Sequence, residues 1–97
     1  MARFDVHLMP SGDLALDCQS DQLEYLASRF TVPLVPEDEI ASRIAVLHPT
    51  FEVRGERLVM ATHLSGAVPT RALGTAIASL KAREYEIQRA LDTLTGY

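Results

Sequence analysis

The sequence predicts a single mainly-β domain, residues 1–97, that ends in one C-terminal α-helix. Three observations carry this reading. Apolar residues alternate with period two in several short runs, and clusters of turn formers separate those runs. After Ser79 the apolar spacing changes to the helical period. Short strands followed by one helix suit a small twisted barrel or sheet with the helix packed on it. With 47% hydrophobic and 23% charged residues, the chain has the composition of a folded globular protein, and its length fits one domain.

Phe4, Val6 and Leu8 alternate with Asp5 and His7, the pattern of a half-buried strand with His7 on its polar side. Pro10-Ser11-Gly12-Asp13 is a cluster of turn formers. Leu14, Leu16 and Cys18 alternate after it, which predicts an antiparallel hairpin. Phe30 to Leu34 is rich in β-formers, but Pro33 lacks a backbone N–H, which predicts an edge or a bulge there. Pro36-Glu37-Asp38-Glu39 reads as an exposed acidic connection with a helical turn leading into Ile40.

Phe51 and Val53 on one side of Arg54-Gly55-Glu56, and Leu58, Met60 and Thr62 on the other, predict a second hairpin. Gly55 is free to take the positive φ such a turn needs. Ala67-Val68-Pro69 and Leu73-Gly74 break the pattern before the helix. In the helix Leu80, Ile87, Leu91 and Leu94 share a face, and Ser79 is positioned to cap its start. Glu84 and Glu86 lie early and Arg89 later, as the helix dipole favours, and Gly96 supplies a stop.

Composition narrows the function. The net charge is −4 and the nine basic residues are dispersed, which argues against direct nucleic-acid binding. The single cysteine, Cys18, excludes an internal disulfide and fits a reducing compartment. The first residues show no apolar leader and no run is long enough to span a bilayer, so a cytoplasmic protein without membrane contact is expected. His7, His48 and His63 lack metal-ligand spacing, and no metal or cofactor is expected. Asp17, Ser20, Asp21 and the histidines have the chemistry for acid–base work if folding brings them together, but such residues at strand ends are usually turn and capping groups.

Taken together, the chain resembles the CcdB family of type II toxin–antitoxin toxins across nearly all of its length. The matching segments are Asp17-Cys18-Gln19-Ser20-Asp21, Val32-Pro33-Leu34, Leu47-His48-Pro49 and Phe51-Glu52-Val53. Gly55-Glu56, Val59-Met60-Ala61-Thr62, Ala67-Val68-Pro69, and Arg83-Glu84 with Ile87 complete the series. Their order and spacing, more than any one tripeptide, carry the likeness.

The resemblance implies a homodimer with an SH3-like β-barrel, a small subsidiary sheet and a C-terminal helix. It implies a toxin that poisons DNA gyrase by binding its A subunit, without covalent chemistry of its own and so not an enzyme. A cognate antitoxin of CcdA type would neutralise it, with contacts around the Met9 to Asp13 turn and near the target site. Carried over by position, target contacts fall on Ser20, Gln22 and Leu23 and on Asp92, Thr95, Gly96 and Tyr97. Gln22 and Leu23 replace isoleucines of the gyrase poisons. Those toxins also end in Phe-Trp-Gly-Ile, whereas this chain contains no tryptophan. The alternatives are a MazF-like endoribonuclease, by analogy of fold, and a non-toxic relative that binds only its antitoxin.

Overall fold

The computed structural model describes residues 2–96. Seven strands precede the helix: β1 (Asp5–Leu8), β2 (Leu14–Asp17), β3 (Ser28–Pro36), β4 (Thr50–Val53), β5 (Glu56–Met60), β6 (Gly66–Pro69) and β7 (Ala76–Ser79). The helix α1 spans Glu84–Thr95. All pairings are antiparallel, in the order β4-β5-β3-β2-β1-β7, with β6 also paired to β3. The mainly-β, barrel-like class with one C-terminal helix is as predicted.

Strand β3 organises the sheet. One edge pairs with β2 throughout Thr31–Leu34, while the other pairs first with β6, over Ser28–Thr31, and then with β5, over Leu34–Pro36. Pro33 stands where that second edge changes partner. Its carbonyl accepts from Ala61 N at 2.9 Å, so its nitrogen faces the same side, where no ladder bond is required. The strand, for which an edge or a bulge was expected at Pro33, is therefore central, and the proline occupies a gap in the pairing.

Both hairpins form at the predicted turns. Arg54 (φ 52°) and Gly55 (φ 85°) both take positive φ, the signature of a two-residue type I′ turn. His7 departs from expectation. A register shift against β7 between Val6 and His7 breaks the alternation, leaving both residues buried and Leu8 exposed. The His7 ring meets the Gly74 carbonyl through Nδ1 at 3.0 Å, and Nε2 has no partner among the described residues. Gly74 packs so tightly on β1 that a Cβ there would lie 2.2 Å from the Leu8 carbonyl oxygen.

The helix begins later than its apolar spacing predicts. Ala76–Ser79 pairs with β1 as strand β7, and Lys81–Arg83 makes a single 3-10 turn before α1. The Ser79 hydroxyl accepts from Lys81 N at 3.2 Å, so the serine caps that turn and not the α-helix. Gly96, with φ 87°, ends α1 as predicted. Ile87, Ala90 and Leu91 pack into the core, and Leu94 is 40% exposed. Strand β6 went unread because Gly66 and Pro69 bracket only two other residues.

Asp17 and Arg29 form an ion pair at the base of the β2–β3 connection, exposed by 0% and 1%. Asp17 Oδ2 accepts from Arg29 Nε at 3.0 Å and Nη2 at 2.5 Å, while Oδ1 accepts from Gln19 N at 3.0 Å. Removing one member strands a buried charge, which costs about 3–5 kcal/mol. Arg29→Met is therefore expected to lower stability in urea denaturation by about that amount, with Asp17→Leu in the same chain recovering part of it. A loss below about 1 kcal/mol, as for an exposed pair, would contradict this.

Candidate functional site

The segment between β2 and β3 projects from the sheet but is pinned from below. Gln19 is buried, and its amide donates to the Leu23 and Ser28 carbonyls at 3.1 Å each and accepts from Phe30 N at 3.0 Å. Ser20 caps the 3-10 turn Asp21–Leu23, its hydroxyl accepting from Gln22 N at 3.2 Å. Ser20, Gln22 and Leu23 are exposed above this clamp, followed by exposed Tyr25 and Leu26.

One residue ties this segment to the helix. Arg3 donates its backbone N–H to Asp21 Oδ1 at 2.8 Å and its guanidinium to Gln88 Oε1 at 2.6 Å. Gln88 in turn donates to Asp92 Oδ1 at 3.0 Å. Phe4, beside it, takes φ 74°, an unusual state for a bulky residue. Its N–H to Asp17 O (2.6 Å) and its carbonyl to Leu80 N (2.8 Å) hold it there. The two sequence-predicted groups thus meet through Arg3: Ser20, Gln22 and Leu23 on one side, Asp92 on the other. Thr95, whose hydroxyl donates to the Leu91 carbonyl at 3.1 Å, and Gly96 continue this helix flank to its end. Tyr97 lies outside the described residues.

The acid–base grouping does not assemble. Asp17 is spent on Arg29, Ser20 on its cap, Asp21 on Arg3 and His7 on Gly74. Cys18 is buried, and burial first, then the Asp17 charge, pushes its thiol up to about 12, so it stays protonated and unreactive. Among the described residues no three His, Cys, Asp or Glu side chains could hold a metal ion together, and no helix is long and apolar enough to cross a membrane.

A second feature was not legible in the sequence. His48 Nε2 and His63 Nδ1 lie 3.0 Å apart, the rings edge to face. His48 Nδ1 accepts from Ile44 N at 3.0 Å, so the ring's proton sits on Nε2 and is donated to His63. This pair and a Thr62 hydroxyl bond to the Leu47 carbonyl (2.5 Å) hold the 41–49 loop against the body of the protein. Between that loop and α1 lies a cavity of about 610 Å³ whose polar walls are Arg43, His48, Thr50, Glu86 and Arg89. A smaller cavity, of about 300 Å³, opens beside the Met9 to Asp13 turn.

The family model described as "CcdB protein" matches residues 3–96. The chain belongs to the CcdB family of toxin–antitoxin toxins. Among curated proteins none matches. Solved structures share its fold, two of them along 99% of the chain. One is named an endoribonuclease from Mycobacterial species, at 16% identity and TM-score 0.75, covering 99% of this chain and 91% of that one. The other is an endoribonuclease in complex with its cognate antitoxin, from Mycobacterial species, at 15% identity and TM-score 0.77, with coverages of 99% and 95%. These matches correct the expectation that this CcdB-family chain is no enzyme, since proteins named as enzymes use the same scaffold end to end.

The histidine pair has a predictable pH response. Burial chiefly, then the charges of His63 and Arg43, hold His48 below its ordinary value near 6.5. Protonating His48 puts the second proton on Nδ1 and breaks the bond it accepts from Ile44 N. A depressed histidine stabilises the fold fully above its ordinary value, and that contribution is lost as pH falls below it. Wild type is therefore expected to lose more stability between pH 7.5 and 5.5 than His48→Gln, compared by urea denaturation. Equal losses would mean that His48 is not linked to folding in this range.

Proposed function

We propose that this CcdB-family toxin arrests growth by binding a type II topoisomerase, the DNA gyrase A subunit, through the surface that Arg3 assembles. The observation that carries the reading is the Asp21–Arg3–Gln88–Asp92 chain of hydrogen bonds, which joins the Ser20–Leu23 segment to the C-terminal flank of α1. Exposed Leu23 supplies an apolar contact, and Ser20, Gln22, Asp92 and Thr95 supply polar ones around it. Gly96 ends α1 in a left-handed conformation and matches the glycine that the gyrase poisons carry after their tryptophan. A homodimer doubles this surface and covers apolar residues that one copy leaves exposed.

The partner that reverses toxicity is a CcdA-type antitoxin. Support comes from the family and from the fold-sharing endoribonuclease, which is held with its cognate antitoxin. The cavity beside the Met9–Asp13 turn, lined in part by Leu14, Pro33 and Val68, is of a size to receive side chains of an extended antitoxin arm.

A second reading, cleavage of RNA, is favoured by one observation. Two solved structures that share this fold along 99% of the chain are named endoribonucleases.

Two variants and two assays separate these readings. Leu23→Asp and a chain lacking Thr95–Tyr97 are expected to fold, by circular dichroism, and to lose growth arrest. Inhibition of gyrase supercoiling by the purified proteins is expected to weaken about thirtyfold or more. Cleaved cellular RNA with unaffected supercoiling would replace the gyrase reading with the nuclease one. Antitoxin binding without growth arrest would identify a non-toxic relative.

A further inference from the structure

The cavity between the 41–49 loop and α1 is separate from the target-binding surface. At about 100° per residue, the buried Ile87–Ala90–Leu91 face of α1 lies between two flanks. Gln88, Asp92 and Thr95 occupy one; Glu86 and Arg89 occupy the other and face the cavity.

Its charge is unbalanced. Glu86 is the acidic member of the wall, and both its oxygens are taken by Arg83, through Nε at 2.7 Å and through Nη2. Arg83 is itself held over the Phe51 ring, 5.0 Å from its centroid. Arg89 consequently has no ion pair among the described residues. On the opposite wall Arg43 reaches Glu37 at 3.1 Å, but Glu37 already accepts from Arg57 at 2.9 Å, so one carboxylate serves two guanidiniums. Thr50, also in the wall, has a hydroxyl with no hydrogen bond among the described residues. His48 is not available to a ligand, because both its nitrogens are engaged in holding the loop.

Two guanidiniums on facing walls suit a tetrahedral oxyanion better than a planar carboxylate, which one arginine satisfies alone. Beside them Ala45, Val46 and Pro49 form an apolar stretch of the lining. The volume falls in the range of small-molecule sites.

We propose that this cavity binds a 5′-phosphorylated nucleoside, with its phosphate between Arg43 and Arg89 and its base on Val46 and Pro49. The shared chemistry covers a free nucleotide and a nucleotide at the end of an RNA strand. The site does not depend on what the toxin targets, because it uses the other flank of α1.

Titration calorimetry of the full chain with adenosine 5′-monophosphate tests this. Saturable binding is expected, weakened at least about tenfold when adenosine replaces the nucleotide. Arg89→Gln and Arg43→Gln are each expected to weaken it at least about tenfold, while Arg71→Gln, on a distant turn, leaves it unchanged. Thermal unfolding checks that each variant is folded. A 5′-phosphorylated tetranucleotide that binds more tightly than the mononucleotide identifies a strand end as the source; equal or weaker binding identifies the free nucleotide. No binding at several millimolar, equal binding of adenosine, or arginine variants that match Arg71→Gln would overturn the proposal. None of these results bears on gyrase inhibition, which is read separately.

Discussion

The Asp17–Arg29 pair sits where β2 hands over to β3, and most of the functional architecture is hung from it. A charge pair this deeply buried is weak evidence for stability, because desolvation offsets much of the attraction. What it does supply here is geometry. Asp17 orients Arg29 with one oxygen and the Gln19 backbone with the other, and its carbonyl receives the N–H of Phe4. Gln19 then closes the loop that displays Ser20, Gln22 and Leu23.

From that anchor the constraint passes to the helix. Phe4 is held in a left-handed conformation by partners on both sides, which aims Arg3 across the gap to Gln88. Residues 20–23 and 92–96 lie on separate elements of the fold. Here a rigid core pair and one extended arginine set their separation. The other flank of α1 is organised by a different device, the His48–His63 pair, which holds a loop of little regular structure against the sheet. One helix thus presents two separate flanks because its buried stripe is narrow.

Much of this was legible in the residues. The period-two runs around Pro10–Asp13 and Arg54–Glu56 identify both hairpins, since side chains of a half-buried strand must alternate. Gly96 was readable as a helix stop because φ of 87° favours a residue without a Cβ. The order of motifs from Asp17 to Ile87 was enough for the family, and the structure links the Ser20–Leu23 segment to Asp92 through Arg3 and Gln88. Less was readable where propensity and context disagree. Pro33 looks like an edge residue until the change of partner beside it is known, and His7 looks solvent-facing until the register shift turns it inward.

Local sequence determined both hairpins, their turns and the helix end, because each depends on residues within a few positions of one another, while the order of motifs along the chain determined the family. The tertiary structure alone decided which distant side chains meet. Arg3 with Gln88, His48 with His63 and Asp17 with Arg29 are separated by 85, 15 and 12 residues, and no periodicity links such positions. Their pairing follows from how the strands stack in register, and so do the two surfaces that flank the helix.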